Sequence, residues 1–306
     1  MNFPGPGEAE GGVAAPPLLP PLVRFFVAAF WAVLVFWGSG FVYLFFPHRN
    51  LVPGLLFRLV ACGLTAAGFA FFLRVLDFNS APLAPALGLP LDAIASRQFA
   101  AGLGVGAALI VAAVAIIAAF GSVQLHLHHS HLFWTRTFIV TATLLLGSAM
   151  EELSFRGYPF QKLTQAFGAA GSVLALSAIF GAVHLWNPDS PGLLSLGFFN
   201  TLLIGALLAF ARIRTGSLWF SIGLHFGWNF FQGAVFGLPV SGLREFAVLV
   251  YSSPHGSEAL TGGGYGVEGS ATCTILLVAV APVLWRITAS KSFQHGRSHA
   301  LPQRGI

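Results

Sequence analysis

The chain has 306 residues, 56% of them hydrophobic and only 8% charged, with a mean hydropathy of +0.80. A soluble domain carries about 25% charged residues, so this chain lacks the polar groups to cover a water-facing surface and reads as an integral, multi-pass membrane protein. Its net charge of +5 comes from basic residues scattered through loops rather than gathered on one face, which excludes a nucleic-acid footprint, and Cys62 and Cys273 lie in apolar runs, which excludes a disulfide framework.

Residues 1–21 are rich in Gly and Pro and lack a basic segment followed by a short apolar core, so they read as a disordered N-terminal tail rather than a signal peptide. A spanning helix needs about 20 apolar residues. Eight runs approach that length: Leu22–Phe46, Leu51–Leu73, Phe99–Phe120, Thr137–Phe155, Gly168–Leu185, Leu193–Ala211, Ser217–Phe236 and Ala271–Ile287. The expected fold is therefore all-α, a polytopic membrane helix bundle of about eight transmembrane helices. Residues 22–136 hold the first three runs, and the third is dense in Gly and Ala from Ala100 to Ala108, which permits close helix packing. Asp77–Ser96 carries three prolines and reads as a loop. His126, His128, His129 and His131 read as part of a solvated loop, with metal binding as the alternative. Residues 137–236 carry the polar groups of interest. Residues 237–270 are Gly-rich and read as a flexible loop; residues 271–306 form the last helix and a basic tail with Lys291, Arg297 and Arg304.

Orientation follows from the distribution of Lys and Arg. With eight spans both termini lie on one side, which receives eleven of the 15 basic residues; the other receives four, Arg49, Arg58, Arg136 and Arg244. Both termini are thus expected in the cytoplasm.

Glu151 and Glu152 are the chain's only acidic residues inside an apolar run of spanning length. Charged groups there are costly and usually mark a pathway or a site, although carboxylates at the end of a run also snorkel to the interface. Glu152 and Arg156 are four residues apart and share a helix face, which suits an internal ion pair. Glu151 is rotated about 100° away and is left over as the working group. His184 ends the run that contains Phe180, one turn back on the same face. His225 and Asn229 line one face of a later run. Singly, such residues are as readily packing or interhelical contacts as catalysts. Together they offer a carboxylate and an imidazole to polarise a water, and a second imidazole and an amide for an oxyanion. Alternatively Glu151, His184 and His225 form a three-ligand zinc set with an open fourth position. Either chemistry implies hydrolysis.

Glu151–Arg156 reads EExxxR, Phe180–His184 reads FxxxH, and His225–Asn229 reads HxxxN. In that order, on three membrane helices, these motifs resemble the CPBP family of intramembrane proteases, which includes type II CAAX prenyl endopeptidases and Abi proteins. The resemblance covers about residues 137–236. It implies a helix bundle whose site is reached from the cytoplasm, with Glu151 and His184 activating water, His225 and Asn229 holding the oxyanion, and Glu152, Arg156 and Phe180 in support. No cofactor is expected, because no HExxH motif is present; zinc is kept as the alternative. The implied substrate is a membrane-associated peptide or protein, prenylated or otherwise lipid-linked. A proton-coupled transporter and a non-catalytic membrane scaffold are the competing readings; internal repeats, common in transporters, are not evident. Glu151 and His184 converge only if the fourth helix runs on past Arg156 towards Gln165, so that Glu151 is mid-helix, with a kink at Pro159.

Overall fold

The computed structural model describes residues 17–40, 51–120, 122–127, 132–290 and 293. Ten helices are found among them: α1 Pro21–Ser39, α2 Leu51–Val75, α3 Leu83–Ala86, α4 Ala93–Ala119, α5 Phe133–Arg156, α6 Tyr158–Val183, α7 Leu196–Thr215, α8 Trp219–Asn229, α9 Glu258–Thr261 and α10 Ala271–Ala289. Among the described residues, six stretches are long and apolar enough to cross a membrane. One is a 54-residue stretch, Phe133–Trp186, that contains both α5 and α6. The seventh expected run is divided into α8, of 11 residues, and a π-helical continuation of 6, Phe230–Val235. The architecture is the expected polytopic helical bundle.

Local chemistry sets the helix ends. Asp92 caps α4 by accepting from the Ala95 N–H at 2.9 Å, Ser195 caps α7 by accepting from Phe198, and Ser270 caps α10 by accepting from Cys273. The Gly/Ala-rich α4 is pressed against α8 through small residues from both sides. A Cβ built on Gly102 or Gly106 would meet the carbonyl oxygens of Phe220 and Leu224 at 2.2 and 2.3 Å. One built on Gly223 or Gly227 would meet those of Phe99 and Leu103 at 2.2 and 2.4 Å. The two backbones are thus in contact, as small-xxx-small seams allow, and His225 sits between the two α8 glycines of that seam.

The path from α5 to α6 differs from a kinked single helix. α5 stops at Arg156, and the chain breaks at Gly157. Pro159 lies in the first turn of α6, where its missing N–H costs nothing. The sharper break is at Gly168, whose φ of 75° and ψ of 174° lie outside helical space and suit a residue without Cβ. The expected run of the fourth helix past Arg156 towards Gln165 therefore does not occur; the chain continues in a separate helix.

The first turns of α6 are held by a buried ion cluster that the sequence does not suggest. Arg24 of α1 and Lys162 of α6 both pair with Asp77, just past α2, and the Tyr158 hydroxyl donates to Asp77 Oδ1 at 3.2 Å. Arg24, Lys162 and Asp77 are all buried.

Where a flexible loop is expected over 237–270, the chain is folded. Strand β2, Val250–Pro254, pairs antiparallel with β1, Val123–Leu127, in the register Val123↔Pro254 to Leu127↔Val250. α9 and a 3₁₀ turn at Val267–Gly269 follow. Arg136 donates to the Ala247 and Glu245 carbonyls, and Arg244 pairs with Asp189 at 2.9 Å, which ties the segment to the bundle. Of the histidine tract, His126 is exposed on β1; His128, His129 and His131 lie outside the described residues, as do residues 1–16 of the tail and Lys291, Arg297 and Arg304.

Candidate active site

Glu152 is the centre of the site. It is fully buried in the last turns of α5, and its Oε1 accepts from Arg156 Nη1 at 3.2 Å and from His225 Nδ1 at 2.9 Å. Arg156 is equally buried; its Nη2 donates to the Gly205 carbonyl at 3.1 Å, and its guanidinium stands 4.4 Å above the Phe180 ring. A Cβ on Gly205 would come 3.2 Å from that Nη2. The expected ion pair is thus present, but its carboxylate has a second task in orienting His225.

Glu151, one residue earlier, has a 30% exposed side chain. Its Oε2 is buried without a hydrogen-bond partner, 3.8 Å from His225 Nε2. A carboxylate thus stands at each nitrogen of His225. His184 Nδ1 lies 2.7 Å from the Phe180 carbonyl, so it carries the proton and leaves Nε2 unprotonated in the neutral ring. The His184 and Phe180 rings are 4.5 Å apart, and Phe180 stands edge-on to His225 at 6.3 Å. Glu151 and His225 are close enough to His184 to act on it electrostatically. Phe180 therefore packs against both histidines and Arg156, which places the end of α6 against the end of α5.

His225 and Asn229 line a small cleft of about 40 Å³. Its apolar walls come from α4, α7 and α10, with Leu109, Ile204, Leu207, Leu277, Val280 and Leu284. Its polar end adds Thr201, Ser241 and Glu268. The Asn229 amide makes no hydrogen bond with another described residue. Glu151 and His184 are not part of the cleft wall, so the structure divides the four expected residues into a pair in the wall and a pair beside it.

Sequence reasoning missed Glu268. It is 3% exposed. Ser241 donates to its Oε1 through the backbone N–H and the hydroxyl, both at 3.2 Å, and Gln232 Nε2 donates to its Oε2 at 2.5 Å. Burial pushes its carboxyl above the usual range, while the Gln232 and Ser241 hydrogen bonds pull it back. Beside it, burial and then the Glu268 charge push the Tyr265 phenol up to about 12. The available signal was a rare acid directly before an apolar run.

Among the described residues, no three of His, Cys, Asp and Glu gather as a set that would hold a metal ion.

Residues 132–231 match the family model described as Rce1-like, type II CAAX prenyl endopeptidase. That match supports the resemblance to the CPBP family of intramembrane proteases. All seven motif residues, from Glu151 to Asn229, fall inside the matched stretch, whereas Ser241 and Glu268 fall outside it. The chain is also 28% identical over 166 residues to "Uncharacterized protein YyaK" of Bacillus subtilis (strain 168). That alignment covers 52% of each, so the chain spans about half the length of the curated relative it matches. No solved structure matches the chain.

Proposed function

We propose that this protein is an intramembrane endopeptidase that hydrolyses a peptide bond in a membrane-associated substrate, using water activated by Glu151 with His184. The observation that carries the reading is the asymmetry of the adjacent carboxylates. Glu152 is fully buried and its Oε1 is taken by both Arg156 and His225, while Glu151 is 30% exposed and is held by neither, its Oε2 standing 3.8 Å from His225 Nε2; Oε2 of each carboxylate is unpartnered. Glu151 takes a proton from water as the water oxygen bonds to the substrate carbonyl carbon, and returns that proton to the amine as the C–N bond breaks. His184 Nε2 accepts the water's other hydrogen bond. With Glu152 on Nδ1, His225 as imidazolium donates from Nε2 to the oxyanion, and the Asn229 amide supplies the second donor. The apolar cleft walls suit an apolar or lipid-linked part of the substrate.

The test is cleavage of membrane-associated peptides by the purified chain in detergent. Glu151→Gln keeps the size and removes the base, so cleavage should cease while the protein still folds. His225→Ala or Asn229→Ala should slow turnover by about 10²–10³, the cost of one oxyanion donor. Full activity in Glu151→Gln would end the reading. We further propose that both termini are cytoplasmic.

A further inference from the structure

Four Arg and Lys side chains are buried among the described residues: Arg24, Arg156, Lys162 and Arg212. Three of them have a carboxylate, Asp77 for Arg24 and Lys162 and Glu152 for Arg156. Arg212, only 3% exposed, has none. Among the described residues its guanidinium forms no ion pair and no hydrogen bond. Nε is sealed without a partner, whereas neither Nη is sealed in this way, so the fork of the guanidinium is the part left open. An arginine offers five donors and no acceptor, and burying its charge uncompensated is costly.

The surroundings fix this group at the membrane surface. Arg212 lies in the last turn of α7. A Cβ built on Gly88, whose φ is 86°, would stand 3.1 Å from Nη2 and 3.3 Å from Cζ, so the loop after α3 lies directly against the guanidinium. That loop is itself tied down: the Leu218 N–H donates to the Gly88 carbonyl at 2.7 Å, and Gln161 Nε2 to the Ala86 carbonyl at 2.9 Å. Two residues on, Arg214 stands 4.5 Å from the ring of Trp285, which is 55% exposed and stacks on Phe210. An exposed Trp with a basic neighbour at the ends of spanning helices marks the headgroup level. Arg97, near the start of α4, and Arg286, in the last turn of α10, are exposed at the same end, where Gln98 Nε2 donates to the Thr215 carbonyl at 3.3 Å. Neither forms an ion pair among the described residues.

We propose that Arg212 is the centre of a binding site for the phosphate of an acidic phospholipid, on the side of the membrane that the charge distribution makes cytoplasmic. A guanidinium fork matches two phosphate oxygens at once. The ionised phosphodiester brings acceptors and no donor, and its charge does for Arg212 what Asp77 and Glu152 do for the other three buried cations. Basic pockets between spanning helices on the cytoplasmic side are where acidic headgroups bind. Arg97, Arg214 and Arg286 add a general attraction to an acidic surface, but only Arg212 is fixed and desolvated enough to select one phosphate. The inference does not rest on the peptidase reading.

The experiment is native mass spectrometry of the full chain from neutral detergent, with phosphatidylglycerol or phosphatidylcholine added, paired with thermal unfolding in the same mixtures and in inorganic phosphate. Wild type should hold phosphatidylglycerol at least about tenfold more tightly than phosphatidylcholine, and its unfolding midpoint should rise with phosphatidylglycerol concentration, as linkage requires. Arg212→Met keeps the length and removes the charge. It should lose the preference yet unfold in lipid-free detergent no lower than wild type, because it no longer buries an unpaired cation. An Arg212 that serves only the α7 C-terminus would give the reverse, a lower lipid-free midpoint and an unchanged preference. Arg97→Gln combined with Arg286→Gln should keep the preference. If Arg212→Met fails to fold, Arg212→Lys, which keeps the charge without the fork, should bind phosphatidylglycerol several-fold more weakly than wild type. The proposal is overturned by no preference in wild type, by a preference that survives Arg212→Met or is undiminished in Arg212→Lys, by its loss in the Arg97 and Arg286 double variant, or by a midpoint that rises with inorganic phosphate and not with phosphatidylglycerol.

Discussion

Replacing Arg156 by Ala tests the centre of the site. Arg156 and Glu152 have side chains 1% and 0% exposed, so solvent does not screen their contact. Removing one partner of such a pair costs about 3–5 kcal/mol, because the other charge stays buried and uncompensated. The Gly205 carbonyl also loses its donor and Phe180 its overlying cation, which argues for the upper end of that range. At 1.4 kcal/mol per factor of ten, Arg156→Ala should lower the folded-to-unfolded ratio by roughly 10²-fold or more. The assay is reversible unfolding in mixed micelles, with cleavage measured in parallel. The double variant Glu152→Leu, Arg156→Met removes both charges at similar volume and should recover much of the stability. It should not recover activity, because His225 Nδ1 has lost its acceptor. Wild-type stability in Arg156→Ala would refute the argument from burial. Full activity in the double variant would refute the positioning of His225 by Glu152.

The helix seam gives a controlled comparison: Gly102→Ala puts a Cβ 2.2 Å from the Phe220 carbonyl, whereas Gly104→Ala meets nothing within 4 Å. The first should lose about 1–3 kcal/mol through overpacking and lower turnover by shifting α8, and the second should match or exceed wild-type stability in the same unfolding assay. Asp77→Asn strands Arg24 and Lys162 without their anion and should cost several kcal/mol, measured as a fall in the unfolding midpoint. Reporter fusions within residues 252–269 and at the C-terminus should report opposite sides of the membrane; the same side for both would remove the proposed topology. EDTA or phenanthroline should leave cleavage unchanged, and a loss restored by zinc would favour Glu151, His184 and His225 as ligands instead.

What was legible in the sequence was what the helical period fixes. The 4-residue spacing of Glu152 and Arg156 and the density of Gly in α4 each stay within one helix, and the structure has the ion pair and the close seam. The shortness of α8 was harder to see, because a π-helical turn continues its apolar run without a compositional mark. Contacts between distant segments were not legible. Asp77 reads as a loop acid among prolines until Arg24 and Lys162 arrive from α1 and α6, and Glu268 reads as a solvated acid in a Gly-rich loop. Its burial depends on Asn200, which donates to the Glu268 and Ser270 carbonyls at 2.8 Å, and on Ser241 at its unusual φ. Neither partner carries a pattern that a single sequence reveals.

The adjacency of Glu151 and Glu152 follows from what the site must separate. A structural carboxylate has to be buried and ion-paired, while a general base has to stay within reach of water. Residues one apart on an α-helix differ by about 100° in direction but only about 1.5 Å in height. Both can therefore sit at the same depth in the bundle, and a single histidine can address both. The structure meets these conditions: Glu152 is 0% exposed and bonded to His225 Nδ1, and Glu151 is 30% exposed with its Oε2 beyond hydrogen-bond distance of Nε2. A spacing of three or four would put both acids on one face, where Arg156 would engage them together and no free base would remain. Moving the second acid by one helical turn, as in Glu151→Ala combined with Ser148→Glu, should therefore preserve the charge count but not the cleavage. Retained cleavage in that variant would show that the position of the second carboxylate on the helix does not matter.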